Sequence, residues 1–406
     1  MTPMPRLAIV TSHPIQYHSP LFRALAQRVD LDVYYGHQQD AAGQAAAGFG
    51  VAFEWDVPLL GGYRHHFLQN VSATPGVSAF GECDTPEVGR VLAEGRYDAC
   101  LITGWYLKSY LQALVACRRL GIPALSRGDS QLATRQASLW SLAKYLPYRA
   151  LLAQFAGHLF VGQANRAYLR HFGVPESKLF FTPHFVDSTF FATRAAEART
   201  SGAAVDIRRR AGVDDDGRLM LFVGKLIDKK RPLDFVDAVA RAASTDTRIR
   251  GLIVGSGALQ PAVDARIQAT GAPVTCAGFR NQTELPSYFA AADALVLASD
   301  AGETWGLVVN EAMACGVPAL VSTACGCARD LVADDETGYT FPLGDIDALA
   351  RAMSRMADRL THAPRAVRDA VLTRISGYSC ERAADGVVEA LTRVTASTRV
   401  RSTTGS

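Results

Sequence analysis

The sequence lacks the features that mark membrane, fibrous and disordered proteins. No apolar run reaches the about eighteen residues that a transmembrane helix needs. Near the N-terminus only Leu7–Val10 are consecutively apolar, too few for the h-region of a secretory signal, so we expect a buried strand there. The 34 glycines have no triplet period, and 49% hydrophobic with 20% charged residues is an ordinary globular balance. These absences exclude collagen-like and disordered architectures.

Cysteine and net charge are also scarce. The eight cysteines are spread thinly over 406 residues, so we expect buried thiols in a reducing cytosol. Cys325 and Cys327 have no Cys/His pair nearby, and the aspartates 214–216 lie in a surface-like turn, so we predict no metal site. The formal net charge of +3 is too small to indicate nucleic-acid binding, and we expect no such partner.

Short apolar runs alternate with longer helical patterns through the whole chain. This alternation predicts an α/β protein whose parallel sheets are covered by helices on both faces. Because 406 residues exceed a single core, we expect two Rossmann-like, doubly wound domains at 1–187 and 207–378. Residues 192–206 contain almost no large apolar side chain, which predicts a hinge at 188–206, and 395–406 are expected to be a flexible tail. The expected strands are Leu7–Thr11, Leu31–Tyr35, Ala99–Thr103, Ala124–Ser126, Leu159–Val161, Leu219–Val223, Gly251–Val254, Ala294–Leu297 and Ala319–Ser322.

The motif that carries most chemistry spans 299–318, directly after one of these strands. A polar turn is followed by a helix that starts near Gly306, so Glu303 lies above the sheet edge and Glu311 about a turn and a half into the helix. Doubly wound domains bind ligands at this edge, and the amide groups of a helix start suit a phosphate. One carboxylate near a sugar and the other near a ribose is a coherent arrangement. The spacing alone equally allows Glu311 to be a solvated helix carboxylate.

Glu303 and Glu311 fit the E-x7-E signature of the retaining family 4 glycosyltransferases, and neighbouring segments resemble the same family. The similarity is strong over about 160–390 and loose over 1–160. Phe222–Pro232 resembles the family's strand, glycine–lysine turn and downstream lysine, and Val254–Gly257 its second glycine turn. The other resembling segments are Gly173–Lys178 and Pro183–Phe191 before the hinge, Gly338–Ala350 at the close of the second domain, and Tyr378–Arg382 at the start of a helix, 379–394, that crosses back to the first domain.

The resemblance implies a GT-B fold, with two Rossmann-like domains facing a central cleft, and transfer of a hexosyl group from a nucleotide-sugar with retained configuration. It implies that Lys225 and Lys230 hold the donor diphosphate, that Glu311 binds the ribose hydroxyls and that Glu303 lies beside the transferred sugar. Uracil is the base that the family favours, and the turn 278–280 is expected to meet it. The other donor contacts that it implies are Gly224, Gly255, Gly257, Phe279, Arg280, Thr304, Trp305, Gly306 and Leu307.

The chemistry of such a donor supports the two lysines independently. A leaving nucleoside diphosphate gains negative charge as the glycosidic bond breaks, so fixed cations stabilise the transition state. Lys225, Lys230 and a helix N-terminus can supply that charge, so we expect that neither a metal nor a cofactor is required. The alternative for these lysines is a solvated basic loop.

The first domain departs from the family pattern. The family often carries a histidine after a middle strand, near the reacting sugar, but the matching residues 123–130 contain none. Arg127, Asp129 or His13 is therefore expected to take over part of that catalytic role. Asp129 could be a covalent nucleophile, although a front-face reaction assisted by the leaving phosphate needs none.

The loop after the first strand carries polar side chains that face the ligand edge. We expect His13, Gln16, Tyr17 and His18 to bind the acceptor or the donor phosphate, the alternative being a Pro-rich turn before a core helix. His184 stands where many relatives carry Asn, which is compatible with a structural role alone.

Residues 101–181 contain ten Lys and Arg against two acidic residues, interleaved with Trp and Tyr. Such a surface favours anionic lipids, so we expect a cytoplasmic protein that binds peripherally to the inner membrane and uses a glycan or lipid-linked acceptor in surface polysaccharide or glycolipid synthesis. Ordinary basic helix faces around aromatic cores are the alternative. A nucleotide-sugar epimerase and a catalytically silent nucleotide-sugar-binding partner protein are the other functions that the sequence allows.

Overall fold

The structure is a computed structural model that describes residues 4–39, 51, 53–132 and 139–404, with the side chains of all of these except 139–144 and 397–404. Contacts between residues divide the chain into two units. The first unit comprises 1–39, 58–184 and 380–406, and the second comprises 40–57 and 185–379.

The first unit is built on a parallel sheet whose strand order is β3-β2-β1-β4-β5-β6-β7. The central strand β1 carries four consecutive apolar residues, Leu7–Val10, all of them fully buried. Such a run is typical of a parallel strand that is covered on both faces. The strands are β1 (Arg6–Thr11), β2 (Asp30–Tyr35), β3 (Arg64–Phe67), β4 (Ala99–Ile102), β5 (Ala124–Gly128), β6 (Gly157–Phe160) and β7 (Leu179–Phe181).

Helices connect these strands, and the C-terminal helix completes the same unit. Arg28 forms an ion pair of 2.6 Å with Asp385 of that last helix. The helix continues to Thr404, where the sequence predicts a flexible tail from residue 395. The helices of the first unit are Ser19–Ala26, Val88–Gly95, Lys108–Leu120, Leu139–Leu152, Gln163–His171 and Cys380–Thr404, with short 3-10 turns at Phe80–Glu82 and Glu176–Lys178.

The second unit has a parallel sheet of strand order β10-β9-β8-β11-β12-β13. The connections run outward in opposite directions from β8 and β11, so these two neighbours flank the topological switch point where doubly wound sheets bind ligands. The strands are β8 (Arg218–Val223), β9 (Ile249–Val254), β10 (Val274–Gly278), β11 (Ala294–Leu297), β12 (Ala319–Ser322) and β13 (Gly338–Phe341). The helices are Ser188–Thr200, Ala203–Arg210, Pro232–Ala243, Gln260–Thr270, Leu285–Ala291, Leu307–Ala314, Ala328–Leu331, Ile346–His362 and Pro364–Ser376, with a 3-10 turn at Asp228–Lys230.

Two parallel, doubly wound sheets confirm the α/β fold class. All four strands that the sequence analysis missed, β3, β7, β10 and β13, are the edge strands of the two sheets. An edge strand is short and buried on fewer sides, so it does not need the continuous apolar run that identifies a central parallel strand. Strand β3, Arg-His-His-Phe, is the extreme case, with mostly exposed side chains.

The residues predicted as a hinge, 188–206, include two helices of the second unit. Asp187 caps the first of them by accepting a hydrogen bond of 3.0 Å from the amide of Phe190. Phe191 and the small residues Ala195 and Ala198 are buried on this helix, and the Phe191 ring lies 6.1 Å from that of Phe289. The scarcity of large apolar side chains therefore reflects a helix that packs closely through alanines.

None of the helices among the described residues is long and apolar enough to cross a membrane. The eight cysteines are free thiols, and all are buried except Cys276, which is half-buried.

Candidate functional site

Three loops interlock at the carboxyl ends of β8, β9 and β11 in the second unit. The loop 224–230 follows β8, and the amide of Leu226 donates to the carbonyl of Ser256, after β9, at 2.9 Å. The amide of Asp300, after β11, donates to the carbonyl of Lys229, also at 2.9 Å. The residues predicted to bind the diphosphate, the sugar and the ribose are thus brought to one edge of one sheet.

Glycines permit this close approach. Gly255 has a φ of +149°, and a Cβ added to it would overlap the carbonyl oxygen of Gly224. Gly306, immediately before the helix Leu307–Ala314, has a φ of +102°, and its added Cβ would lie 2.5 Å from Leu297 Cδ2. Neither position can take another residue without strain. Gly224 and Gly257 lie in the same interlocked loops.

Two lysines of the β8 loop contact one carboxylate, and a third lysine lies within range of their charges. Lys230 Nζ forms an ion pair with Glu303 Oε2, and Lys229 Nζ lies 3.7 Å from the same oxygen. The Lys230 and Glu303 side chains are only 17% and 12% exposed. Burial, followed by the charges of Lys230 and Lys229, lowers the pKa of Lys225. The ammonium groups of Lys225, Lys229 and Lys230 outnumber the single carboxylate of Glu303, so the site is net positive and partly desolvated, which suits a polyanion such as a diphosphate.

Glu311 lies in the helix Leu307–Ala314, and its side chain is not the solvated carboxylate that spacing alone allowed. Burial raises the pKa of Glu311 to about 7, against the opposing effects of Gln282 and Lys230. Gln282 Nε2 lies 3.4 Å from Glu311 Oε1 and donates to it. A carboxylate held in this way gains strongly from hydroxyl donors, which replace the lost water.

The loop between Glu303 and the helix is fixed by the buried side chain of Trp305. The indole of Trp305 is 3% exposed, and its Nε1 donates to Asn310 Oδ1 at 2.8 Å. Trp305 therefore supports the loop with its side chain, and only its backbone remains suited to a ligand. Thr304 and Leu307 are half-buried beside it, and the first amide groups of the helix have no acceptor within the helix. The loop thus presents backbone donors next to Glu303.

Phe279 and Arg280 follow the edge strand β10. The Arg280 side chain is fixed by hydrogen bonds to residues nearby in the sequence. Its Nε donates to the hydroxyl of Tyr288, in the following helix, at 2.5 Å, and its Nη1 donates to the Phe279 carbonyl at 2.8 Å. The Phe279 ring packs against Phe53, with centroids 4.7 Å apart. Phe53, Lys229 and Gln282 also lie at this site, and none of them was predicted from the sequence.

A second cluster occupies the carboxyl ends of the strands in the first unit. Arg127 is 5% exposed, and its Nη2 donates to the carbonyl of Pro183 at 3.2 Å. His184 Nε2 lies 3.8 Å from Asp129 Oδ2, and the His184 ring lies 6.4 Å from that of Tyr17. Arg127, Asp129 and Tyr17 were predicted site residues, whereas His184 was assigned no functional role.

Burial makes the imidazoles of this cluster neutral at neutral pH. It lowers the pKa of His13 to about 4, with His37 adding to the effect, and it holds the pKa of His18 well below its ordinary value. Burial also lowers the pKa of His184, although Asp129 opposes this. His13 Nδ1 shares a hydrogen bond of 3.0 Å with Ser12 Oγ, and Gln16 is half-buried in the same loop. These groups can exchange hydrogen bonds with hydroxyls without adding charge.

The basic and aromatic side chains of 101–181 are partly used within the first unit. Lys108 pairs with Asp84 at 2.6 Å, and the Trp105 ring stacks on Tyr168 at 6.3 Å. Tyr110 is 2% exposed. Arg118, Arg119 and Arg149 remain exposed, as does Leu146, with 70% exposure. Arg135 lies outside the described residues, as do the side chains of Trp140 and Lys144.

No group of three or more His, Cys, Asp or Glu side chains that could hold a metal occurs in the described ranges.

Comparison with known proteins places the family match on the second unit. Residues 205–365 match the family described as glycosyl transferases group 1. D-inositol 3-phosphate glycosyltransferase of Frankia alni is 32% identical over 198 residues, which cover 46% of this chain and 48% of that protein. The chain spans about half the length of several curated relatives that it matches.

Solved structures resemble nearly the whole chain in fold. HepE of Anabaena, in complex with UDP, superposes with a TM-score of 0.71 at 18% identity and covers 96% of this chain and 100% of its own. The apo form of the lipopolysaccharide outer core galactosyltransferase WaaB superposes with a TM-score of 0.67 at 15% identity, covering 96% of this chain and 99% of its own. At these identities the similarity shows the GT-B fold alone.

Proposed function

Because this chain belongs to the group 1 glycosyltransferases through residues 205–365, we propose that it transfers a hexosyl group from a UDP-sugar to a glycan or lipid-linked acceptor with retained anomeric configuration. The single observation that carries the proposal is the charge arrangement of the second unit, where Lys229 and Lys230 contact Glu303 and Lys225 lies within range of their charges, at the switch point of the sheet. The UDP complex of HepE supports the choice of UDP.

The lysines have the role expected for departure of the diphosphate. As the bond between the sugar C1 and the phosphate oxygen breaks, its electron pair moves to that oxygen. Lys225 and Lys230 stabilise the charge that develops there, together with the first amides of the helix Leu307–Ala314. Their ammonium groups lie in a partly buried loop. They reorient less than water molecules would have to when the charge on the leaving group develops. This arrangement needs no metal to neutralise the leaving group.

The two glutamates contact the two other parts of the donor, the ribose and the transferred sugar. Glu311 accepts hydrogen bonds from the ribose hydroxyls, and these bonds are strongest when its carboxylate is ionised. Glu303, fixed by Lys230, lies beside the transferred sugar. The acceptor hydroxyl attacks C1 on the face that the diphosphate leaves, and its proton passes to the departing phosphate oxygen. Retention then follows without a covalent enzyme intermediate.

The acceptor is assigned to the cluster of the first unit. His13, His18 and His184 offer neutral imidazoles. Arg127 and Asp129 lie in the same cluster, at the carboxyl end of β5. Neutral donors and acceptors suit sugar hydroxyls. The proposed setting is surface polysaccharide or glycolipid assembly at the cytoplasmic face of the inner membrane, and the name of the structural neighbour WaaB supports an acceptor of that kind.

Membrane contact is proposed through the exposed residues Arg118, Arg119, Arg149 and Leu146, together with Tyr106, which is 53% exposed. Replacing the three arginines by glutamine should reduce flotation with vesicles that contain anionic lipid, since each basic residue near such a surface contributes about 1 kcal/mol. Flotation that does not depend on anionic lipid would contradict this part of the proposal.

The enzymatic proposal is tested by hydrolysis of UDP-sugars in the absence of acceptor, measured as the release of UDP. We expect slow hydrolysis by the parent protein and at least about a tenfold loss in Glu303→Gln, in line with the loss of one charged group at the reacting centre. UDP binding without any turnover, in the presence of candidate acceptors, would instead favour the silent partner protein. Exposed Glu336→Gln is the matched control, with no expected change.

A further inference from the structure

A short segment from the N-terminal half of the sequence packs on the second unit. Residues 53–57, which we call the strap, belong to this unit by their contacts. The strap lies along the turn 279–283, which follows the edge strand β10 and carries the predicted base contact. The family match begins at residue 205, so the strap lies outside it.

The strap meets the turn at three successive places. The Phe53 ring lies 4.7 Å from that of Phe279, and Trp55 in turn lies 5.0 Å from Phe53. Asn281 Nδ2 donates to the backbone carbonyl of Glu54 at 2.8 Å. The Asp56 carboxylate accepts hydrogen bonds from Thr283, from its amide at 3.2 Å and from its hydroxyl.

The turn 279–283, which the strap contacts, also donates a hydrogen bond to Glu311. The amide of Gln282 donates to Asn281 Oδ1 at 2.8 Å, which fixes Gln282 between two strap contacts. Gln282 is 8% exposed, and its Nε2 reaches Glu311 Oε1 at 3.4 Å. A continuous chain of hydrogen bonds therefore leads from Glu54 through Asn281 and Gln282 to the carboxylate assigned to the ribose.

We propose that the strap is a positioning element of the donor site, which fixes the turn 279–283 and thereby Phe279 and, through Gln282, the Glu311 carboxylate. This rests on the proposed function and deepens it. Asp56 and Gln282 are positioning residues, since Asp56 fixes the turn through Thr283 and Gln282 fixes the carboxylate of Glu311. The hydrogen bonds of the strap go to Asn281 and Thr283, in the turn that carries the predicted base contact, so the strap should affect donor binding rather than the chemical step.

The test uses the full chain, UDP as the probe and the variant Asp56→Ala. Loss of the Asp56 bonds to Thr283 should speed hydrogen–deuterium exchange at the Thr283 amide and weaken UDP binding about three- to tenfold, the range expected for one net hydrogen bond. Once a turnover assay exists, KM for the donor should rise while kcat changes by less than about twofold. Asp56→Asn keeps an acceptor oxygen for the Thr283 amide and should restore most of the affinity.

Glu54→Ala is the matched control, because Glu54 contacts the turn through its backbone carbonyl only and its side chain is exposed. It should leave both exchange and affinity unchanged. If Asp56→Ala were poorly folded, Thr283→Val, which removes the hydroxyl and keeps the amide, would provide the second comparison.

Unchanged exchange at Thr283 in Asp56→Ala would overturn the strap contact, and faster exchange with unchanged UDP affinity would overturn its role in donor binding. A parent protein that binds no nucleotide would overturn the proposed function and, with it, the strap's donor role. Exchange is measured without ligand, so these failures are distinguishable.

Discussion

Replacement of Glu311 by Gln should stabilise the unliganded protein at high pH and leave it unchanged at low pH. Burial raises the pKa of Glu311 from 4.5 to about 7, which corresponds to about 3 kcal/mol. Between these two values the folded protein holds the proton more tightly than the unfolded chain. The free energy of unfolding therefore falls as the pH rises through this window. Above pH 7 Glu311 is ionised in the folded protein, and the whole of this loss of stability is present. Glutamine is neutral throughout and does not have this cost.

Thermal unfolding of the parent and of Glu311→Gln at pH 5 and pH 8 measures the effect. At pH 8 the midpoint of the second unit should rise in the variant by up to about 6–12 °C, since about 1 kcal/mol shifts a unit of this size by 2–4 °C. At pH 5 most of the difference should disappear. The exposed Glu336→Gln should show no such pH dependence. Equal midpoint differences at the two pH values would refute the argument that Glu311 is a buried, titrating carboxyl.

The other predictions concern the lysine loop and the glycine contacts. Lys230→Ala removes a cation from the proposed phosphate site and should weaken UDP binding about 10- to 100-fold in isothermal titration, the range for a charged hydrogen bond, and unchanged affinity would contradict that placement. Gly255→Ala would push a Cβ into the Gly224 carbonyl and should cost about 1–3 kcal/mol of stability by thermal unfolding. Gly377→Ala, whose Cβ would meet no atom nearer than 3.6 Å, is the control, and an equal loss there would contradict the steric argument.

The central strands could be predicted from sequence because burial on both faces forces continuous apolar runs such as Leu7–Val10. The edge strands could not, since a strand such as Arg64–Phe67 has few buried side chains and no such run. The prediction of a hinge at 188–206 rests on a lack of large side chains, which does not by itself mean a lack of packing. Ala195 and Ala198 show that a small-residue helix can be buried through close approach.

The candidate site could be predicted where its residues lie close together in the sequence. Glu303, Glu311, Lys225 and Lys230 belong to two local motifs, each directly after a strand, and the topology brings both to one sheet edge. Gln282 and the strap reach the site from separate parts of the chain, and no local spacing relates Asp56 to Thr283. The environment of Glu311 likewise depends on packing, so its raised pKa could not be read from a helix position.

The most direct test of the account is binding of UDP, GDP and ADP to the parent protein by isothermal titration, with and without EDTA. Three lysines and a helix start provide the positive charge of the proposed donor site, so we predict saturable binding of UDP that EDTA does not alter and that Lys230→Ala weakens. Absence of binding by any of the three nucleotides would contradict the donor site. Binding that disappears with EDTA would contradict its independence of metal.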